Sequence, residues 1–289
     1  MARAIERIEK DIADLEEAIR AIASELQNAD TIYLSSLGQS VRKQLILASY
    51  HLCTQGYPEN FLSLSLNHRQ QLQQAIRKLG QQAAENLLTS LSSQEDEEEE
   101  DEDEDEEDED EEDEDEDEDD SNFSFLSPPP RLYPSSYPDL SNPIELGRWQ
   151  QKMEAVIQDT LKKLSHETNV VLQKARILPK KLPERILEVA AAASEASAEV
   201  MPGPPNLLNL VIEIENDQDP DESSLTQITA INLRLGEIEF ADPAVSSARK
   251  QIRSLLVQLS KLGREYEKKH RELSTAEAEA AWRASWFEN

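Results

Sequence analysis

A chain of 289 residues has room for one or two compact domains, and its plentiful Ala, Leu, Glu and Gln with only seven glycines favour helix. The formal net charge is −31, from 60 acidic and 29 basic residues, but 26 of those acids form the unbroken run Glu95–Asp120, and the remaining 34 acids face 29 bases, an ordinary balance. A single cysteine, Cys53, excludes an intramolecular disulfide, and no apolar stretch approaches the roughly 18 residues needed to cross a bilayer, so the expectation is a cytoplasmic protein without membrane insertion.

Residues 2–29 carry the cleanest periodic pattern. Ile5, Ile8, Ile12, Leu15, Ile19, Ile22 and Leu26 recur at alternating spacings of three and four, an a/d heptad flanked by charged residues. So narrow a stripe calls for one or two partner helices rather than a wide core. The partner is either another part of the same chain or a second copy, which makes a homodimer through this helix one expectation. A second helix is expected from about Ser35 to Gln55, stopped by Gly56 and Tyr57-Pro58. Ser65 is a cap for a third, with Leu72, Ile76, Leu79, Ala83 and Leu87 on one face. Residues 1–92 thus read as an N-terminal helical bundle.

Residues 93–143 read as a disordered linker. The acidic run repels itself and has nothing apolar to bury, so ordering it is uncompensated. Pro128-Pro129-Pro130, Pro134, Pro138 and Pro143 follow it and favour extended backbone. The C-terminal part, 144–289, is expected to be α-rich. A helix runs from about Ile144 to Arg176, and Pro183 opens an Ala-rich helix reaching Val200. Residues 207–235 suggest an antiparallel hairpin: Leu208, Leu210, Ile212 and Ile214 alternate, a long polar loop spans Asn216–Asp221, and Ile231, Leu233 and Leu235 alternate again. A helix over 225–240 competes, because Leu225, Ile228, Ile231, Leu235 and Ile238 also fit a helical period. Asp242-Pro243 then caps a long final helix, expected over 243–285, with Val245, Ala248, Ile252, Leu255, Leu259, Leu262 and Tyr266 repeating the heptad spacing. The fold class is therefore mainly α: two helical parts with coiled-coil-like helices, joined by an acidic, Pro-rich linker, with one hairpin.

Chemistry-bearing motifs are sparse. The acidic run is a solvating spacer on the plainer reading, and a bait for a basic protein on the other. Phe123 and Phe125 beside it have the composition of a docking motif in a disordered segment. The last helix concentrates eight bases between Arg249 and Arg271, among them Lys250 and Arg253, against Glu265 and Glu267. Such a stretch suits phosphate contacts, is simply the solvated face of a coiled coil, or is a face on which the acidic run of the same chain folds back. Trp282 and Trp286 share one helical face; they either fold back on the domain, the commoner case, or are offered to a partner. His51, His68, His166 and His270 are scattered, and none has metal-ligand spacing with another or with Cys53. No phosphate loop, nucleophile elbow or HExxH is present. The expectation is no catalytic, cofactor or metal residue.

Three segments, Ala48–Glu59, Ile177–Pro183 and Ala280–Phe287, resemble an uncharacterised cyanobacterial protein family. The resemblance implies a bacterial cytoplasm and brings no functional residue with it. The functional expectation is a cytoplasmic scaffold or adaptor acting through coiled-coil helices and the acidic linker, with protein partners. The alternative is a nucleic-acid-associated regulator, through the basic helix binding nucleic acid or the acidic run binding a basic protein.

Overall fold

The computed structural model describes residues 2–89, 140–179, 203–216 and 219–286. The acidic run, Phe123, Phe125, the prolines before Leu140 and the expected helix Pro183–Val200 lie outside these residues. The rest is mainly helical, with long helices and one two-stranded antiparallel sheet.

The first helix, α1, runs unbroken over Ala2–His51, so the two helices expected on either side of residues 29–35 are one. The polar stretch Asn28–Thr31 does not interrupt it, for physical reasons. Ala29, Tyr33 and Leu34 are buried in the main core. Asp30 finds a buried partner in Gln150, and the Thr31 hydroxyl donates to the Gln27 carbonyl at 2.9 Å. A single π-turn over Leu52–Gly56 ends α1 just before the short helix α2, Pro58–Ser63. Helix α3 is Leu66–Thr89, with the Ser65 hydroxyl accepting from the His68 amide at 3.3 Å. Helix α4 is Pro143–Lys174, with Asn142 accepting from the Ile144 amide as its N-cap. After the hairpin β1 (Leu207–Asn216) and β2 (Asp219–Ile231) come α5, Leu235–Ala241, and α6, Pro243–Ser285.

Four long helices form an antiparallel bundle in the ring order α1, α3, α4, α6. Gly38 faces Ala84, and Gly80 faces Arg42 and Leu45, so α3 runs against α1 with small residues at the crossing. Pro143 lies beside Gly263, and Glu154 pairs with Arg249, so α4 runs against α6. The longest interface joins α1 to α6, also antiparallel, with Lys269 bonded to Asp11 at one end and Lys43 to Asp242 at the other.

The buried pattern changes width along α1. Between residues 5 and 22 only Ile12 and Ile19 are fully buried, roughly one per two turns; from Ala23 on, Leu26, Ala29, Tyr33, Leu34, Leu37, Val41, Leu45 and Ala48 are all inside. The change coincides with the end of the bundle: α4 begins beside Gly263, and the cluster of Ile19, Ala23, Leu146 and Leu259 marks that level. Beyond it, among the described residues, α1 and α6 continue as a two-helix arm.

The hairpin corrects one expectation. Its ladder is regular from Leu207 opposite Ile231 to Glu215 opposite Ser223, and the register shifts before Asn216, which lies opposite Asp219. The second strand is 219–231, with Ala230 opposite Leu208, and it stops where the sequence suggests that it continues to Leu235. The helical reading of 225–240 holds only from Leu235. Side chains settle the change. The Asn169 amide donates to the Ile231 carbonyl at 2.9 Å and accepts from its amide at 3.0 Å, capping the strand edge from α4. Ser165 accepts from the Leu233 amide, and Asn206 takes the amides of Asn232 and Arg234. These bonds fix residues 231–234 as a link, against their strand propensity. Tyr57 treats Thr229 as Asn169 treats Ile231, accepting from its amide at 3.0 Å and donating to its carbonyl at 3.2 Å. Two successive outward positions of β2 are thereby closed to edge pairing.

Two glycine substitutions should have opposite signs. A Cβ at Gly38 would stand 3.0 Å from the Ala84 Cβ and 3.2 Å from its Cα, whereas one at Gly147 meets nothing within 4 Å. Denaturant unfolding should show Gly38→Ala losing about 1 kcal/mol through overpacking, and Gly147→Ala gaining up to about 1 kcal/mol of helix propensity. Replacing Asn169 by Leu should cost about 3 kcal/mol, because it strands two buried backbone groups of Ile231.

Candidate functional site

Polar groups gather where α1, α4, α5 and α6 meet. Tyr33 of α1 is 1% exposed, and its hydroxyl donates to Glu239 Oε1 of α5 at 2.7 Å. The Arg249 guanidinium of α6 lies over the Tyr33 ring, 5.5 Å from its centroid. Arg249 also pairs with Glu154 of α4 and, through Nε at 3.3 Å, with Glu239. One turn before Tyr33, Asp30 accepts from the Gln150 amide in a bond that is itself buried. Four helices are thereby tied through side chains that the sequence places up to 206 residues apart.

The electrostatics follow from burial. Burial pushes the Asp30 carboxyl up to about 7, against the opposing pull of the Gln150 hydrogen bond and the Arg249 charge. Burial, then the Glu239 hydrogen bond, raises the Tyr33 phenol, which stays neutral. Burial works to lower Arg249, but Tyr33, Glu154 and Glu239 outweigh it and the guanidinium is held charged. This network positions helices and uses up its own charges.

The structure sorts the site residues expected from sequence. Ile12 and Ile19 are buried within the chain, Ile22 packs against the core, and Ile5, Ile8 and Leu15 are half-buried in the arm. Arg249 is turned inward into the network, and Lys269 sits between Asp11 at 3.0 Å and Glu272 at 3.1 Å, which raise its pKa. Arg249 flanks the buried face of α6 by about a quarter turn, at 100° per residue, whereas Lys269 falls in the stripe itself, seven residues after Leu262.

The other bases of α6 all point out. Lys250, Arg253, Lys261, Arg264, Lys268 and Arg271 are exposed. With the exposed Val257 they recur at spacings of 3, 4, 4, 3, 4 and 3, so they form one straight row. The row lies opposite the buried Val245, Ala248, Ile252, Leu255 and Leu259 and is roughly 32 Å long. Its solvation was expected; its straightness and freedom from Arg249 were not. Near the end of α6, Trp282 and Trp286 are 66% and 67% exposed, their rings 5.8 Å apart, and neither folds back on the bundle.

Cys53 is buried, which pushes its thiol up to about 11 and keeps it protonated at neutral pH. Among the described residues no group of three or more His, Cys, Asp or Glu is arranged to hold a metal ion, and no helix is long and apolar enough to cross a membrane. Comparison of the chain with protein families, curated proteins and solved structures finds no match.

The raised Asp30 pKa has a direction in pH. The folded state holds a proton that the unfolded chain releases near 3.8, so this contribution to stability is full below that pH and is lost as pH rises through about 7. Urea unfolding from pH 4.5 to 8 should show Asp30→Asn removing this part of the decline. The variant should gain on the parent as pH rises, and a constant difference would contradict the assignment.

Proposed function

We propose that this chain is a scaffold or adaptor with no catalytic activity, which docks a protein partner through the two-helix arm and its tip. One observation carries the reading. The last turns of α6 present two adjacent tryptophans to solvent. Tryptophan is among the residues that dominate binding energy at protein interfaces, and an exposed pair on one helix face is accessible without any rearrangement. The bundle serves as the anchor that holds the arm at a fixed angle.

The basic row favours an electrostatic component to the same contact, supplying rate and orientation more than affinity. Direct nucleic-acid binding is the weaker reading, because the intact chain carries a net charge of −31 and the row lacks interleaved stacking aromatics. A bacterial cytoplasm, implied by the family resemblance, belongs to the same proposal.

Crosslinking pull-down with the intact chain tests it. A partner should be captured at the arm and lost with Trp282→Ala plus Trp286→Ala, while the melting temperature stays put because both side chains are exposed. Recovery of the same set of proteins by parent and double variant would remove the reading.

A further inference from the structure

We propose that the acidic run Glu95–Asp120 docks on the outward basic row of α6 in the same chain, occupying the face formed by Lys250, Arg253, Lys261, Arg264, Lys268 and Arg271. This goes beyond the scaffold reading and stands independently of it.

Charge complementarity is the first argument. The row places six cations along roughly 32 Å of exposed helix, a 3–4 spacing that keeps them on one line. Opposing charge on α6 itself lies to the sides: Glu265 and Glu267 flank the row, and Glu272 is engaged by Lys269 at 3.1 Å and lies 4.0 Å from Lys268. Arg249 and Lys269, the two bases with acidic partners on other helices, are the two that leave the row. The outward face therefore keeps its positive charge. The run offers 26 consecutive carboxylates, more than the row can engage at one time.

Where the chain leaves and returns is the second argument. Five residues separate Thr89, the end of α3, from Glu95, and 22 separate Asp120 from Pro143. Ala84 lies against Gly38, so Thr89, five residues on in an antiparallel helix, stands at the level of Tyr33. Arg249 lies over the Tyr33 ring, which puts that exit level with the start of the row. Pro143 lies against α6 itself, its Cβ 3.3 Å from where a Cβ of Gly263 would stand, beside the middle of the row. From Gly263 the ends of the row are about 12 and 20 Å along the axis. Twenty-two residues reach up to roughly 75 Å when extended, which covers both ends of the row, so the run is tethered there at an effective concentration on the order of millimolar. A free anionic partner has to compete with that concentration.

The contact would be a polyelectrolyte one, with no single register and a steep dependence on salt. Its consequence is selectivity. Weakly acidic surfaces are excluded from the row, and a partner gains it only by displacing the run.

Zero-length carbodiimide crosslinking of the intact, dilute chain provides the test, because it joins carboxylates only to amines they touch. Lys250, Lys261 and Lys268 should couple to residues 95–120, in preference to the exposed Lys78 and Lys152, and the yield should fall about ten-fold between 50 and 500 mM salt. The exposed substitutions Arg253→Glu, Arg264→Glu and Arg271→Glu leave the reporter lysines in place and should suppress the coupling, with helical content by circular dichroism unchanged. Equal coupling to Lys78 and Lys152, coupling indifferent to salt, or coupling that disappears on dilution would each overturn the proposal. A second readout guards against a misfolded variant: a synthetic peptide of residues 95–120 added in excess to the intact parent should reduce the intrachain coupling, and no reduction would count against the row as its site.

Discussion

The antiparallel contact between α1 and α6 is the constraint on which the rest of this structure depends. Each helix brings an apolar stripe at alternating spacings of three and four, and neither stripe has enough width to form a core alone. Burying a Leu or Ile side chain is worth about 1.5–3 kcal/mol, so the buried Ile12, Ile19, Leu26, Ile252, Leu255 and Leu259 dominate over the rim ion pairs that set the register. Once α1 and α6 are joined, α3 and α4 have a surface to complete, and the hairpin and α5 are held at the bundle's end by Tyr57, Ser165, Asn169 and Asn206.

That arrangement gives one molecule two mechanical regimes. In the bundle, α1 is surrounded and its buried face is broad, with Tyr33, Leu34, Leu37, Val41 and Leu45 all inside. In the arm its neighbour among the described residues is α6, across a narrow seam. The part-buried Tyr33–Glu239–Arg249–Glu154 network sits within the bundle, not in the arm. Replacing one member strands charges that the others have been folded around, so such networks specify an arrangement more than they stabilise it. The polar core fixes how the helices meet, and the apolar seam extends that order outward to the tryptophan pair.

Much of this was legible in the residues. The two stripes, the Asp242-Pro243 start of α6, the Ser65 cap and the existence of the hairpin follow from spacing and capping chemistry that act over a few residues. What spacing does not carry is partnership. Nothing near Asp30 announces Gln150, 120 positions away, and without that bond the polar stretch before Tyr33 looks like a helix end. Ile231, Leu233 and Leu235 alternate as a strand should, yet Ser165 and Asn206 capture the backbone between them and the chain turns into α5. Arg249 reads as one more base on a basic helix, although its position a quarter turn from its solvent-facing neighbours was a usable sign that it points inward.

The seam between α1 and α6 also sets a timetable. Their residues lie about 190 positions apart in the chain, from His51 to Pro243. At the usual pace of roughly 5–20 residues per second, a ribosome needs roughly ten to forty seconds to make the second helix after the first. The bundle half of α1 can pair with α3 and α4 during that interval, but the arm half waits uncovered for the last helix to be made. Its seam is then a sticky surface on a nascent chain, at risk of pairing with a neighbour on the same polysome. By then the ribosome has already released 26 consecutive carboxylates beside it, which make that nascent chain strongly self-repelling at the stage when it is most adhesive.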